Sequence, residues 1–209
     1  MRTIMLMNPK GGCGKTTLAA NIATWFADDG VKVALADYDP QGSTLDWLDA
    51  RKQYEGIPQI EAVDAITQAA RPARGTDLLI MDVPAGTHGK TITDMLRRVD
   101  DLIIPVLPSP IDMRACNRFL QELLANGRVS RHQTRLAIVA NRVRENTCIY
   151  HQLEEYLGHL EIPFVTHLRE SQNYIRSAES GLGIFELAPS LVWQDVEQWD
   201  PLFEWLNQK

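Results

Sequence analysis

Pro9-Lys10-Gly11-Gly12-Cys13-Gly14-Lys15-Thr16-Thr17 stands between a short apolar run, Thr3–Met7, and a stretch with helical spacing over 15–28. Glycines at this density let successive backbone N–H groups curl around a phosphate, and the start of the following helix adds positive potential. Lys15 is placed to reach the outer phosphates, and the Thr16 hydroxyl can ligate a magnesium ion. Gly11, Gly12, Cys13, Gly14 and Thr17 supply the rest of the cradle. A strand before and a helix after are what such a loop requires, so an α/β fold is expected from these residues onward.

The rest of the chain repeats that alternation. Aliphatic or β-branched runs recur at 2–7, 31–36, 77–81, 102–106, 136–140 and 163–167, with helices expected at 15–28, 43–53, 62–70, 89–98, 112–126, 146–156, 170–177 and 190–207. Strands alternating with amphipathic segments imply βαβ units: a mostly parallel, twisted sheet covered by helices on both faces. With 209 residues, and neither repeats nor a domain-separating linker, the expectation is a single domain over 1–209 with no separate DNA-binding domain.

Three cysteines, Cys13, Cys116 and Cys148, are too scattered for a disulfide framework or a zinc site. No run approaches the roughly 20 apolar residues of a membrane span, so a soluble, cytoplasmic protein is expected. The net charge of −6 argues against a nucleic-acid partner only until it is divided along the chain. Residues 1–104 carry −3 and residues 145–209 carry −8, but residues 105–144 hold seven arginines against two carboxylates, a net +5.

The phosphate loop departs from the commonest pattern: Pro9 stands where a first glycine would be, and a second lysine, Lys10, opens the loop. In this form it resembles the deviant Walker A motif of the ParA/MinD ATPases, and small ParA proteins of partition are similar in length. The resemblance continues in Asp37-Tyr38-Asp39-Pro40-Gln41-Gly42, in the strand end Met81-Asp82-Val83-Pro84, in the proline-rich Pro105–Pro110 segment before a dimer-contact helix, and in Asn141-Arg142 after a later strand.

It implies ATP and Mg²⁺ as cofactors and an ATP-bound homodimer in which Lys10 reaches the phosphates held by the other subunit. Lys10, Lys15 and Asp39 become the catalytic residues, Asp39 orienting the attacking water. Thr16, Asp37 and Asp82 become the metal site. Asn141, with Arg142 beside it, is expected against the adenine. ParA-like relatives bind DNA without sequence preference, so Arg142, Arg169 and Arg176 are DNA candidates, the last two expected on one helical face. A ParB-like or adapter protein would stimulate hydrolysis, and the protein would be nucleoid-associated while it moves a cargo such as a plasmid, protein cluster or microcompartment.

Two other readings follow from the same superfamily. A MinD-like membrane switch needs a basic amphipathic C-terminal helix, whereas Asp195, Glu197, Asp200 and Glu204 make this one acidic, and packing on the sheet is expected instead. A metal-cluster carrier needs paired cysteines, which Cys116 and Cys148 do not supply.

Overall fold

The computed structural model describes residues 1–67 and 69–208. Seven strands, β1 (Arg2–Leu6), β2 (Val33–Asp37), β3 (Glu61–Asp64), β4 (Leu78–Asp82), β5 (Asp101–Val106), β6 (Arg135–Val143) and β7 (Phe164–Arg169), form one sheet. Their order is β3-β2-β4-β1-β5-β6-β7, and every pairing is parallel. Parallel neighbours require crossovers. These are supplied by α1 (Lys15–Asp28), α2 (Ser43–Arg51), α3 (Lys90–Leu96), α4 (Pro110–Leu124), α5 (Gly127–Ser130) and α6 (Cys148–Gly158), and the chain ends in α7 (Gln172–Glu179), α8 (Pro189–Glu197) and α9 (Asp200–Asn207).

Side chains of a strand alternate faces, and β1 shows the result. Met5 and Met7 join a core with Ile92, Phe119, Val129 and Leu153, so α3 to α6 cover that face. Ile4 and Leu6 join Leu18, Trp47, Val192 and Leu202 on the other, beneath α1, α2, α8 and α9. The expected sheet with helices on both faces is therefore present.

One element differs in kind. Residues 62–64 of the expected 62–70 helix belong instead to the edge strand β3, paired with β2 from Ala34↔Glu61 to Asp37↔Asp64; Gln68 lies outside the described residues. The run Ala62-Val63-Asp64-Ala65 fits either period, and the open edge of β2 decides for strand. The expected helix over 190–207 is broken in two, because Pro201 at the start of α9 cannot continue the backbone ladder of α8. Both pieces lie on the sheet as expected, with Trp199, Leu202 and Leu206 buried.

At the strand starts, Arg2 and Arg135 grip the buried Asp101 at 2.6 Å each. Arg135 also lies over the Trp205 ring at 4.4 Å and donates to the Trp205 and Gln208 carbonyls. One arginine of the basic block is thus spent on anchoring α9, at the end of the sheet opposite the phosphate loop.

Candidate functional site

In the register of the sheet Asp82 lies beside Leu6 on one side and Asp37 on the other, so the loops leaving β1, β2 and β4 emerge side by side at the strand C-terminal ends. A crevice there, where the chain runs to opposite sides of β1, is where α/β sheets of this kind take ligands. The expected site residues on these loops are brought together.

The phosphate loop is held from several directions. Asn8 donates from Nδ2 to the Pro105 carbonyl at 2.6 Å and accepts the Lys10 N–H at Oδ1, fixing the start of the loop against β5. Gly86 donates its N–H to the Pro9 carbonyl at 3.1 Å. Gly14 precedes α1 at φ +93, and a Cβ there would lie 2.2 Å from Asn141 Nδ2, so this position needs glycine both for its dihedral and for room. That same Nδ2 donates to the Cys13 carbonyl at 2.8 Å, joining the end of β6 to the loop. Burial raises the Cys13 thiol above its ordinary range.

The first turn of α1 carries no carboxylate of its own, so its positive end is left for an anion. Lys15 is only 8% exposed and has no carboxylate partner among the described residues; its ammonium donates to the Lys10 carbonyl at 3.4 Å. A buried cation served by one long carbonyl contact, beside bare backbone N–H groups, is a fit for phosphate oxygens. Lys10 is half-buried and forms no ion pair among the described residues.

Asp82 closes the metal side. Its Oδ2 accepts from Thr16 Oγ1 at 2.6 Å and from Thr44 Oγ1 at 2.8 Å, and the residue is 2% exposed. Burial, reinforced by the charge of Asp37, pushes its carboxyl pKa up, against the lowering effect of the two hydroxyls and Lys15. An anionic oxygen at that depth, touching the hydroxyl of the phosphate loop, suits a hard cation.

Asp37, expected beside the metal, lies next to Asp82 with its oxygens on backbone donors. Fully buried, it accepts the N–H groups of Asp39 at 2.9 Å, Thr44 at 3.0 Å and Leu45 at 3.2 Å, so it caps α2 and shapes the switch segment behind Asp82. Burial is the main cause of its raised pKa. Asp39 is half-buried; Oδ1 accepts the Gln41 N–H at 3.0 Å, and Oδ2 accepts no hydrogen bond among the described residues. Thr44 and Asn8 were not singled out from the sequence. The signal for Thr44 is its place in the first turn of the helix that follows Asp-Pro-Gln-Gly.

Two clefts open beside the loop. One of about 460 Å³ is lined by Gly12, Gly14, Thr17, Asn141, Arg142 and Tyr174, the place expected for the base. The other, about 370 Å³, runs between α1, α2 and α7 past Thr16, Ser43 and Glu179.

The helical face expected for Arg169 and Arg176 is not formed. Arg169 ends β7 and Arg176 lies in α7, with the helix cap Ser171 between them, so helical spacing does not relate the pair. Arg169 donates to the buried Asp195 at 2.6 Å, which raises its pKa and staples β7 to α8. Arg142 pairs with Glu170 at 3.2 Å, while Arg176 is exposed.

Residues 4–184 match the family model described as the CobQ/CobB/MinD/ParA nucleotide-binding domain. The chain is 26% identical over 190 residues to the maintenance of carboxysome distribution protein A of Halothiobacillus neapolitanus, covering 88% of this chain and 87% of that protein. The fold superposes on a plasmid-partition-type protein of Borrelia burgdorferi B31 bound to AMPPNP with a TM-score of 0.73, at 15% identity and covering 97% of this chain and 98% of that one. It superposes on the MinD cell division protein of Aquifex aeolicus with a TM-score of 0.71, at 20% identity and covering 100% and 98%. With the matched model spanning most of its length and the loop, switch segment and strand-end carboxylate gathered at one crevice, the chain belongs to the CobQ/CobB/MinD/ParA family of nucleotide-binding proteins and is a P-loop ATPase.

Proposed function

We propose that this chain is a ParA-type ATPase whose ATP-bound homodimer binds DNA without sequence preference and positions or segregates a cargo, releasing the DNA when a partner protein stimulates hydrolysis. The observation that carries the reading is the pair of lysines on one phosphate loop, Lys15 buried at its end and Lys10 half-buried at its start without an ion-pair partner among the described residues. Similarity to a carboxysome distribution protein supports cargo positioning as the use of the cycle.

In this reading the backbone from Gly11 to Thr17 and Lys15 hold the ATP phosphates, and Asn141 and Arg142 face the base. Thr16 and Asp82 are the residues that would hold Mg²⁺, with Asp37 setting the backbone behind them. The ion, when bound, neutralises charge that develops on the transferred phosphoryl oxygens. Asp39, with one oxygen tied to Gln41, orients the attacking water with the other. Lys10 reaches the phosphates of the facing subunit, so the dimer forms only when ATP is present. The protein would work in the cytoplasm on the nucleoid.

The C-terminal helices support DNA over membrane as the surface used. Val192, Trp199, Leu202, Phe203 and Leu206 are buried against the sheet, Leu191 and Trp193 on α8 are exposed, and the exposed charges of these helices, Glu197, Asp200 and Glu204, are acidic and would be repelled by anionic lipid. The test is size and DNA co-sedimentation with ATP. Asp39→Ala retains ATP-dependent dimerisation and DNA binding but loses turnover; a variant that turns over normally, or a wild type that stays monomeric with ATP, sinks the reading.

A further inference from the structure

The end of β6, beside the base-side cleft, carries a strained bulge. Between Ala140↔His167 and Val143↔Arg169, β6 holds one residue more than β7, and within this bulge Arg142 adopts φ +53, a left-handed conformation that costs energy for a side chain of its size. The strain is held in place by Asn141, whose Oδ1 accepts the Arg142 N–H at 2.9 Å while its Nδ2 grips the phosphate loop at Cys13. The bulge directs Arg142 and Arg144 to the same carboxylate. Arg142 Nη2 lies 3.2 Å from Glu170 Oε1, and Arg144 Nε lies 2.6 Å from Glu170 Oε2. Both guanidinium groups are more than half exposed, and Glu170 donates its backbone N–H to the Val143 carbonyl at 2.8 Å.

Two arginines converging on the two oxygens of one exposed carboxylate form an anion-binding fork with its own internal anion. The two arginines outnumber the carboxylate they hold, with Glu145 and Glu197 lining the adjoining groove, and the hydrogen bonds from Arg144 and Arg142 hold the Glu170 carboxyl below its ordinary range. Exposed ion pairs of this kind are weak, about 0–1 kcal/mol, and exchange readily. A phosphate offers more acceptor oxygens and more charge to the same planar donors. We propose that Glu170 is an intramolecular latch on a phosphate-binding fork formed by Arg142 and Arg144, and that the ligand which displaces it is a phosphate of the DNA backbone. Asn141 joins the fork to the phosphate loop, and Arg142 and Glu170 both line the base-side cleft, so the fork adjoins the nucleotide site. This inference rests on the DNA-binding reading above and names the residues that hold the phosphate.

The test uses the full chain with a non-hydrolysable ATP analogue and a random-sequence DNA duplex, followed by fluorescence anisotropy over a salt series. Glu170→Gln is expected to tighten DNA binding about threefold to tenfold and to steepen the slope of log affinity against log salt by about one to two, as freed arginines take up phosphates. Adding Arg144→Ala to that variant removes the gain. Glu197→Gln makes the same charge change on the neighbouring exposed groove and is expected to alter affinity less than about twofold. Thermal melting confirms that each variant is folded, as expected for exposed side chains.

The latch is overturned if wild type binds DNA and Glu170→Gln leaves affinity and slope unchanged, or if Glu197→Gln matches it, which would reduce the effect to net charge. A gain in nucleotide affinity in place of DNA affinity would assign the fork to the nucleotide's own phosphates and overturn the proposal equally. If neither wild type nor any variant binds DNA with the analogue, the DNA reading itself falls, and the latch falls with it.

Discussion

The Thr44 hydroxyl donates to Oδ2 of Asp82 at 2.8 Å, and the same residue's backbone N–H donates to Oδ2 of Asp37 at 3.0 Å. Thr44 sits in the first turn of α2, directly behind the Asp39 segment. The carboxylate at the end of β4 is therefore tied to the start of the switch helix as well as to Thr16 on the phosphate loop.

Thr44→Val keeps the shape and removes the donor. A buried charged acceptor that loses one partner costs about 1–3 kcal/mol. We expect turnover to fall about tenfold or more and the Mg²⁺ concentration needed for half-maximal nucleotide binding to change. Thr44→Ser should restore both. Equal turnover and unchanged Mg²⁺ dependence in Thr44→Val would remove the residue from the site.

Asp82 and Asp37 make the nucleotide-free protein pH-sensitive. Burial raises both carboxyl pKa values above 3.8, so across the window from 3.8 up to the raised values the folded state holds more protons than the unfolded chain. Stability contributed by these groups is therefore present at low pH and declines as pH rises through that window. Asp82→Asn should flatten this part of the profile and raise the melting temperature at neutral pH, each 1 kcal/mol being worth roughly 2–4 °C in a chain of this size, while Mg²⁺-dependent turnover disappears. Thermal melts of both proteins without nucleotide over a pH series measure the difference; a steeper profile in the variant contradicts the assignment.

Lys10→Ala leaves the nucleotide cradle of the single subunit in place, because the Lys10 contributions within the chain are its backbone N–H and carbonyl. The expected outcome is a protein that binds ATP within about threefold of wild type and stays monomeric with it, for the loss of a charge-assisted hydrogen bond across an interface. Size-exclusion with light scattering and equilibrium nucleotide binding check the two halves. Dimerisation equal to wild type would end the cross-subunit role.

Trp199→Ala tests the C-terminal packing. The ring is fully buried, stacks near Phe203 with centroids 5.7 Å apart, meets Phe185 at 5.7 Å, and donates from Nε1 to the Tyr174 hydroxyl at 2.9 Å. Removing a buried tryptophan costs about 3–5 kcal/mol. Denaturant unfolding should show that loss; a change below about 1 kcal/mol would mean that α8 and α9 add little to the core.

Much of the site was legible because phosphate binding constrains a contiguous stretch. Lys15, Thr16 and the glycines act through their own backbone and a neighbouring helix start, so spacing alone identifies them. Asp39 and Asp82 were singled out through the resemblance to the ParA/MinD ATPases, and the structure puts both at or just after strand ends beside the loop. Thr44 and Asn8 were not, since a threonine in a first turn or an asparagine before a proline carries no local mark of what it bonds across the sheet.

The elements misread share one physical cause. Ala62–Asp64 fits two periods, and only the vacant edge of β2 selected strand. Arg169 and Arg176 carry helical spacing in one dimension, but Ser171 starts the helix between them, and a buried Asp195 brought from α8 captures Arg169. The basic block of 105–144 was likewise a linear sum. Folding assigns Arg135 to Asp101, and Arg142 and Arg144 to Glu170 from a different strand end, leaving Arg114 and Arg118 exposed on α4.

By itself the sequence determined the alternation of strands and helices and the chemistry of the phosphate loop, because both depend on residues close together in the chain. Only the tertiary structure decided which carboxylates face the loop, which arginines remain free and which surface they share. Those are matters of pairing across the sheet, between residues tens to more than a hundred positions apart, where burial and hydrogen-bond satisfaction choose the partner and local pattern carries no information.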